Sequence, residues 1–95
     1  MSGKKQTGVR KKVVFSLHAP QAETVFLAGD FNQWNPEKNR LKKGRSGAWE
    51  VTLMLSPRTY EYKFIVDGKW QLDPVNSRTC HNCFGSSNNL VTVVQ

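Results

Sequence analysis

Apolar and polar positions alternate with a period of two along most of the chain. Val13, Phe15 and Leu17 alternate with Val14, Ser16 and His18, the pattern of a strand with one buried face. Pro20 ends this run. Thr24 to Ala28 is a second β-rich segment, stopped by Gly29-Asp30, and Asn32, Asn35 and Pro36 mark the loop behind it. Arg40 to Lys43 reads as a short strand. Trp49, Val51, Leu53 and Leu55 alternate with Glu50, Thr52 and Met54 until Pro57, and Tyr60, Tyr62, Phe64 and Val66 alternate with Glu61, Lys63 and Ile65. Asp67-Gly68 follows at once, then Lys69 to Leu72. Asp-Gly between two such runs predicts a two-residue hairpin turn, because both central residues need positive φ. Asp73-Pro74 closes this arm, Val75 to Ser87 reads as a loop, and Leu90 to Val94 as the last strand. No window carries a helical repeat. Short strands with turn signals at intervals of roughly ten residues predict an all-β sandwich.

The hairpin sets a register. A two-residue turn at Asp67-Gly68 pairs Val66 with Lys69, Ile65 with Trp70, Phe64 with Gln71 and Lys63 with Leu72, and directly opposed residues share a face. The face of Tyr60, Tyr62, Phe64 and Val66 is the core face. Trp70 therefore falls on the other face, beside Ile65 and diagonal to Lys63. Two readings of it stand. It packs under a neighbouring loop or a bulge shifts the register, or it offers a flat apolar platform beside a charged donor. Such a platform suits a sugar, whose C–H face lies on an indole while its hydroxyls seek hydrogen bonds at the rim.

Composition narrows the classes. The chain has 95 residues, enough for one domain with one modest core. Residues 1–12 are expected to form a disordered basic tail and residues 13–95 the sandwich. No apolar run reaches the roughly 18–20 residues of a membrane span, and the basic N-terminus lacks the apolar stretch of a signal peptide. A cytoplasmic location is the default, and a fragment of a longer protein is the alternative. The formal charge of +7 is concentrated in the tail (Lys4, Lys5, Arg10, Lys11, Lys12) and in one stretch (Lys38, Arg40, Lys42, Lys43, Arg45). Such clusters bind phosphates of nucleic acid or anionic lipid, or are simply solvated. No recognition helix or aromatic RNA-binding signature accompanies them, so nucleic acid is the less favoured partner and no membrane partner is expected.

Taken in order, several segments resemble a known family. They are Phe26-Leu27-Ala28-Gly29-Asp30-Phe31-Asn32-Gln33-Trp34, Gly47-Ala48-Trp49, Tyr60-Glu61-Tyr62-Lys63-Phe64-Ile65-Val66-Asp67-Gly68-Lys69-Trp70, Asp73-Pro74 and Ser87-Asn88-Asn89-Leu90-Val91. Together they resemble carbohydrate-binding module family 48. That family includes the glycogen-binding domain of the AMP-activated protein kinase β-subunit and the N-terminal domains of isoamylase and branching enzymes. The resemblance implies an immunoglobulin-like β-sandwich of the early-set type that binds α-glucan and carries out no catalysis. It also implies stacking on glucose by Trp34 and Trp70, and donation to sugar hydroxyls by Lys63. The family's inserted leucine corresponds to Phe84, and its sugar-bonding threonine and asparagine to Ser86 and Asn88. The partners implied are glycogen, starch or maltooligosaccharide, and a glucan-metabolising enzyme. A structural or docking module beside such an enzyme is the second reading, against which stands the presence of both Trp34 and Trp70. Trp34 as a core residue and Asn88 as a strand-entry cap are the alternatives for those positions. Trp49 alternates with Leu53 and Leu55 and belongs to the core.

Other chemistries find little support. Cys80 and Cys83 supply two zinc ligands of four, and His81 between them is poorly spaced to complete a site. Reduced loop cysteines, a reversible local disulfide and a zinc shared between chains remain open. The seven acids are Glu23, Asp30, Glu37, Glu50, Glu61, Asp67 and Asp73. Asp30, Asp67 and Asp73 sit in turns, where the side chain caps backbone; Glu50 and Glu61 lie on outward strand faces. A glycosidase would need two carboxyls about 5–9.5 Å apart across a cleft. Neither a nucleophile–histidine set nor a glycine-rich phosphate motif is present. No catalytic residue, cofactor or metal is therefore expected.

Overall fold

The computed structural model describes residues 9–81 and 85–95. Residues 1–8, and with them most of the expected tail, lie outside the described residues, as do Asn82, Cys83 and Phe84. The described chain forms β1 (Lys11–His18), β2 (Val25–Gly29), a 3-10 turn (Asp30–Asn32), β3 (Asn39–Arg40), β4 (Lys42–Lys43), β5 (Ala48–Leu55), β6 (Thr59–Val66), β7 (Lys69–Gln71), β8 (Thr79–His81) and β9 (Ser87–Thr92). They build two sheets. The smaller has the order β1-β5-β4; the larger has the order β3-β2-β6-β9-β8, with β7 also paired to β6. Every pairing is antiparallel. The immunoglobulin-like β-sandwich expected from the sequence is the fold.

The inward face of each strand follows the alternation. Phe15 and Leu17 of β1 and Trp49 and Leu55 of β5 meet Val25 and Leu27 of β2 and Tyr60, Tyr62 and Phe64 of β6. Each fully buried large apolar side chain contributes about 1.5–3 kcal/mol. Phe31 of the 3-10 turn packs on Phe15 and Tyr60, with ring centroids 5.4 and 6.0 Å away. That contact pins the turn to the core edge. Trp49 is 5% exposed, and its indole N–H donates to the Ala19 carbonyl at 2.8 Å.

The hairpin adopts the predicted register, with Val66 opposite Lys69, Ile65 opposite Trp70 and Phe64 opposite Gln71. Asp67 and Gly68 both have positive φ, 49° and 84°. The Asp67 carboxylate also reaches across the fold, accepting from the Glu23 and Thr24 N–H groups at 2.8 and 2.9 Å.

Several boundaries differ from the sequence expectation; β7 ends at Gln71, without the expected Lys63–Leu72 pair, and β9 ends at Thr92. Lys11 and Lys12 extend β1 by pairing with Leu55 and Met54, because β5 offers backbone there and the lysine side chains stay exposed. The expected strand over Arg40–Lys43 is split between the two sheets. Leu41, its one apolar residue, is 1% exposed and enters the core, and its N–H donates to the Val25 carbonyl at 2.8 Å. Thr79–His81, expected in a loop, is strand β8. It has no apolar alternation, and its place in the sheet comes from pairing with β9. Strand β9 starts at Ser87 rather than Leu90. The buried Asn89 side chain explains the gain: it accepts from Asp73 N–H at 2.7 Å and donates to the Asn76 carbonyl at 2.9 Å. These bonds draw the polar segment before β8 against β9.

Two predictions follow from this packing. Trp49→Ala should cost about 3–5 kcal/mol, whereas Trp70→Ala should cost less than about 1 kcal/mol. Denaturant melts that reverse this order would overturn the assignment of faces. The second concerns acid. Bonds from the Thr24 N–H first, and then the Glu23 N–H, hold the Asp67 carboxyl below the usual carboxylate range. A depressed folded pKa stabilises above the unfolded value and loses that contribution as pH falls through the folded value. Asp67→Asn, which tolerates the left-handed backbone, should therefore show a shallower loss of stability than the parent below about pH 4.

Candidate functional site

The outward face of β6 holds the site. Glu61, Lys63 and Ile65 point away from the core residues Tyr60, Tyr62 and Phe64. Ile65 lies opposite Phe26 on one side and Trp70 on the other, so the three form one row across the sheet. Ile65 is 6% exposed although it faces outward, while Trp70 is 52% exposed. The row is thus an apolar floor with a tryptophan standing at its edge.

Trp34 reaches the same place from a different element. Strand β2 ends at Gly29, where a Cβ would lie 2.5 Å from the Glu61 carbonyl oxygen and 2.7 Å from the Phe31 ring, so only glycine fits. The buried Asn32 then ties the turn together. It accepts from the Gly29 N–H at 3.0 Å, and donates to the Leu27 carbonyl at 2.9 Å and to Asn39 Oδ1 at 2.7 Å. Gln33 and Trp34 follow with φ of 56° and 57°. Two consecutive non-glycine residues in the left-handed region cost about 1–3 kcal/mol each. The Trp34 N–H donates to the Gly29 carbonyl at 2.9 Å, which helps to hold the strained pair. The indoles of Trp34 and Trp70 end 6.3 Å apart between centroids and tilted by 48°.

Asp30 braces this arrangement. Its Oδ1 accepts from Trp34 Nε1 at 3.1 Å and its Oδ2 accepts from the Glu61 backbone N–H at 2.8 Å. The Glu61 N–H lies just beyond the last residue of β6 paired to β2, Tyr62 with Gly29. Asp30 therefore satisfies a sheet donor and orients an indole with one carboxylate. The sequence marks Asp30 as a turn residue, and nothing in its spacing shows the contact to β6.

The polar members of the expected site lie on the same face. Lys63 Nζ donates to Ser86 Oγ at 2.8 Å. Asn88 lies within β9, is 7% exposed, and donates to Glu61 Oε1 at 2.9 Å. Cys80 lies opposite Asn88. Burial first, then a hydrogen bond to Glu61 and the charges of Glu61 and Asp30, push its thiol above the ordinary cysteine value. Phe84, named for one side of the site, lies outside the described residues. Trp34, Lys63, Trp70, Ser86 and Asn88 are thus gathered on one face, two of them as a ring pair and three as polar groups linked to the sheet.

Residues 12–95 match the family model described as the glycogen recognition site of AMP-activated protein kinase. The chain is 37% identical over 82 residues to Protein FLOURY ENDOSPERM 6, chloroplastic, of Oryza sativa subsp. japonica, covering 86% of this chain and 15% of that protein. It is 39% identical over 72 residues to Protein PTST homolog 2, chloroplastic, of Arabidopsis thaliana, covering 76% and 13%. Among solved structures, the maltogenic amylase from S. marinus matches with a TM-score of 0.76 at 28% identity, over 90% of this chain and 14% of that one. The chain therefore spans a small part of each of these proteins.

The brace makes a prediction. Asp30→Ala should leave the domain folded at a cost of about 1–3 kcal/mol. It should also speed hydrogen exchange at the Trp34 indole N–H and alter the Trp34 resonances far more than those of Trp49. Unchanged Trp34 exchange would show that the loop holds the ring without Asp30.

Proposed function

The chain belongs to carbohydrate-binding module family 48, the family of the glycogen recognition site of AMP-activated protein kinase, and from that premise we propose that it binds α-1,4-glucan chains without cleaving them. The observation that carries this reading is the pair of indoles 6.3 Å apart and tilted by 48°, one of them half exposed. Each indole accepts the C–H face of a glucose ring. Two tilted platforms follow a chain that curves, as α-1,4-glucan does, and fit an extended flat glucan poorly. Lys63, Ser86 and Asn88, on the same face, bond the hydroxyl rim. An unsatisfied sugar hydroxyl is costly, and each satisfied one nets only about 0.5–1.5 kcal/mol.

The carboxylates support binding over catalysis. Asp30 and Asp67 hold distant backbone N–H groups, Asp73 Oδ2 accepts from the Tyr62 hydroxyl at 2.8 Å, and Glu61 accepts from Asn88. Each of these four carboxylates is committed to a hydrogen bond within the domain, whereas glycoside hydrolysis needs a pair free to flank a cleft. The module would anchor a glucan-metabolising enzyme, or a longer protein that contains it, to glycogen- or starch-like chains. Its compartment is that of the glucan: the cytoplasm on the sequence reading, the chloroplast for the two plant relatives named above. A purely structural docking role would leave Trp70 without a use.

Calorimetry with maltoheptaose tests the proposal. The dissociation constant should be on the order of 10 μM to 1 mM after association costs. Trp34→Ala and Trp70→Ala should each weaken it at least about tenfold, or 1.4 kcal/mol, in a folded domain. A cellulose-derived oligosaccharide that binds equally well would exclude the α-glucan assignment. Sub-micromolar binding of a single-stranded oligonucleotide in about 150 mM salt, with no response to maltoheptaose, would replace it.

A further inference from the structure

The basic stretch that follows β2 has no part in the indole platform, yet the fold gives it a defined shape. Where the chain crosses from the larger sheet to the smaller, an open groove of about 560 Å³ lies along β4 and β5. Its walls carry Arg40, Lys42 and Lys43 against one carboxylate, Glu50, with hydroxyls from Ser46 and Thr52. That volume accommodates a sugar-sized group.

Two of the three cations are not consumed by hydrogen bonds among the described residues. Lys43 Nζ is engaged, donating to the Pro20 carbonyl at 2.9 Å. Arg40 and Lys42 are exposed, and their side chains make no hydrogen bond among the described residues. Lys42 stands opposite Glu50 in the ladder, but the ion pair found among the described residues is that of Arg58 with Asp30, at 4.0 Å. A guanidinium and an ammonium lining one groove with two hydroxyl-bearing residues match the oxygens of a phosphate monoester.

Register joins one wall of this groove, Arg40, to the platform, while Lys42 and Glu50 belong to the smaller sheet. Arg40 lies opposite Phe26, Phe26 opposite Ile65, and Ile65 opposite Trp70. These residues therefore share one face of the larger sheet. Strand spacings of about 4.8 Å put Arg40 roughly 14 Å from Trp70 at the backbone. A few glucose units extending past the platform cover that span.

We propose that the Arg40–Lys42 groove is a second subsite that takes a phosphate ester carried on the same α-glucan chain. The inference rests on the glucan reading above and adds an anionic substrate class to it. The platform reads the neutral sugar by stacking, and the groove reads the charge.

The test uses the full chain with two ligands, maltoheptaose and maltoheptaose bearing one phosphate on a glucose 6-hydroxyl. The phosphorylated ligand should bind at least about fivefold more tightly at low salt, on the order of 50 mM, and the advantage should shrink below about twofold near 500 mM. The double variant Arg40→Gln, Lys42→Gln should bind both ligands alike, with the parent's maltoheptaose affinity and melting temperature. Equal affinity of the parent for both ligands overturns the subsite and leaves the glucan reading intact. An advantage that survives in the double variant but disappears in Lys63→Gln moves the phosphate to the platform and also overturns it. Absence of binding by either ligand removes both readings.

Discussion

Strand β6 is hydrogen-bonded along both edges, to β2 on one side and to β9 and then β7 on the other, and this double pairing fixes the direction of each of its side chains. Successive residues must point to opposite faces. Tyr60, Tyr62 and Phe64 fill the space between the sheets, so Glu61, Lys63 and Ile65 have to face out. A shift of one residue would expose the aromatic row and bury Glu61 and Lys63, at a cost far beyond the stability of a domain this small. The face that carries Glu61, Lys63 and Ile65 is thus the obligatory reverse of the core.

The platform needs more than a face, because its second tryptophan comes from a loop. Left to itself, a loop with two left-handed non-glycine residues would relax. Here the core holds one end through Phe31, Asn32 holds the middle with three hydrogen bonds, and Asp30 ties the indole to β6. The strain is stored in the free protein, so little ordering remains to be done when a ligand arrives. That matters for a sugar, whose contacts are individually weak and are easily cancelled by the entropy of arranging side chains around it.

Charge is distributed on the same principle of separation. Around the indoles, charged groups act as short-range donors and acceptors and are already paired, Lys63 with Ser86 and Glu61 with Asn88. The cations of Arg40 and Lys42 sit instead at the flank of the sandwich, where their field is exposed to solvent and screened by it. One short segment, Asn39–Lys43, produces this flank, because Leu41 drops into the core and turns its basic neighbours outward.

The alternation of apolar residues and the Asp-Gly turn were sufficient to place the main strands, the hairpin register and the outward position of Trp70. These are period-two and local turn effects, set by residues within a few positions of one another. Trp34 and Trp70 could be named as partners only through resemblance to a family, since 36 positions of chain separate them and no periodicity links a loop to a strand. Strand β8, the split of Arg40–Lys43 and the brace at Asp30 were decided by tertiary structure alone. Each depends on a polar group or a single apolar residue finding a partner far along the chain: Asn89 with the Asp73 and Asn76 backbone, Leu41 with Val25, Asp30 with Glu61. Such bonds satisfy backbone groups that would otherwise be buried without partners, and which groups those are is settled only once the two sheets have closed on each other.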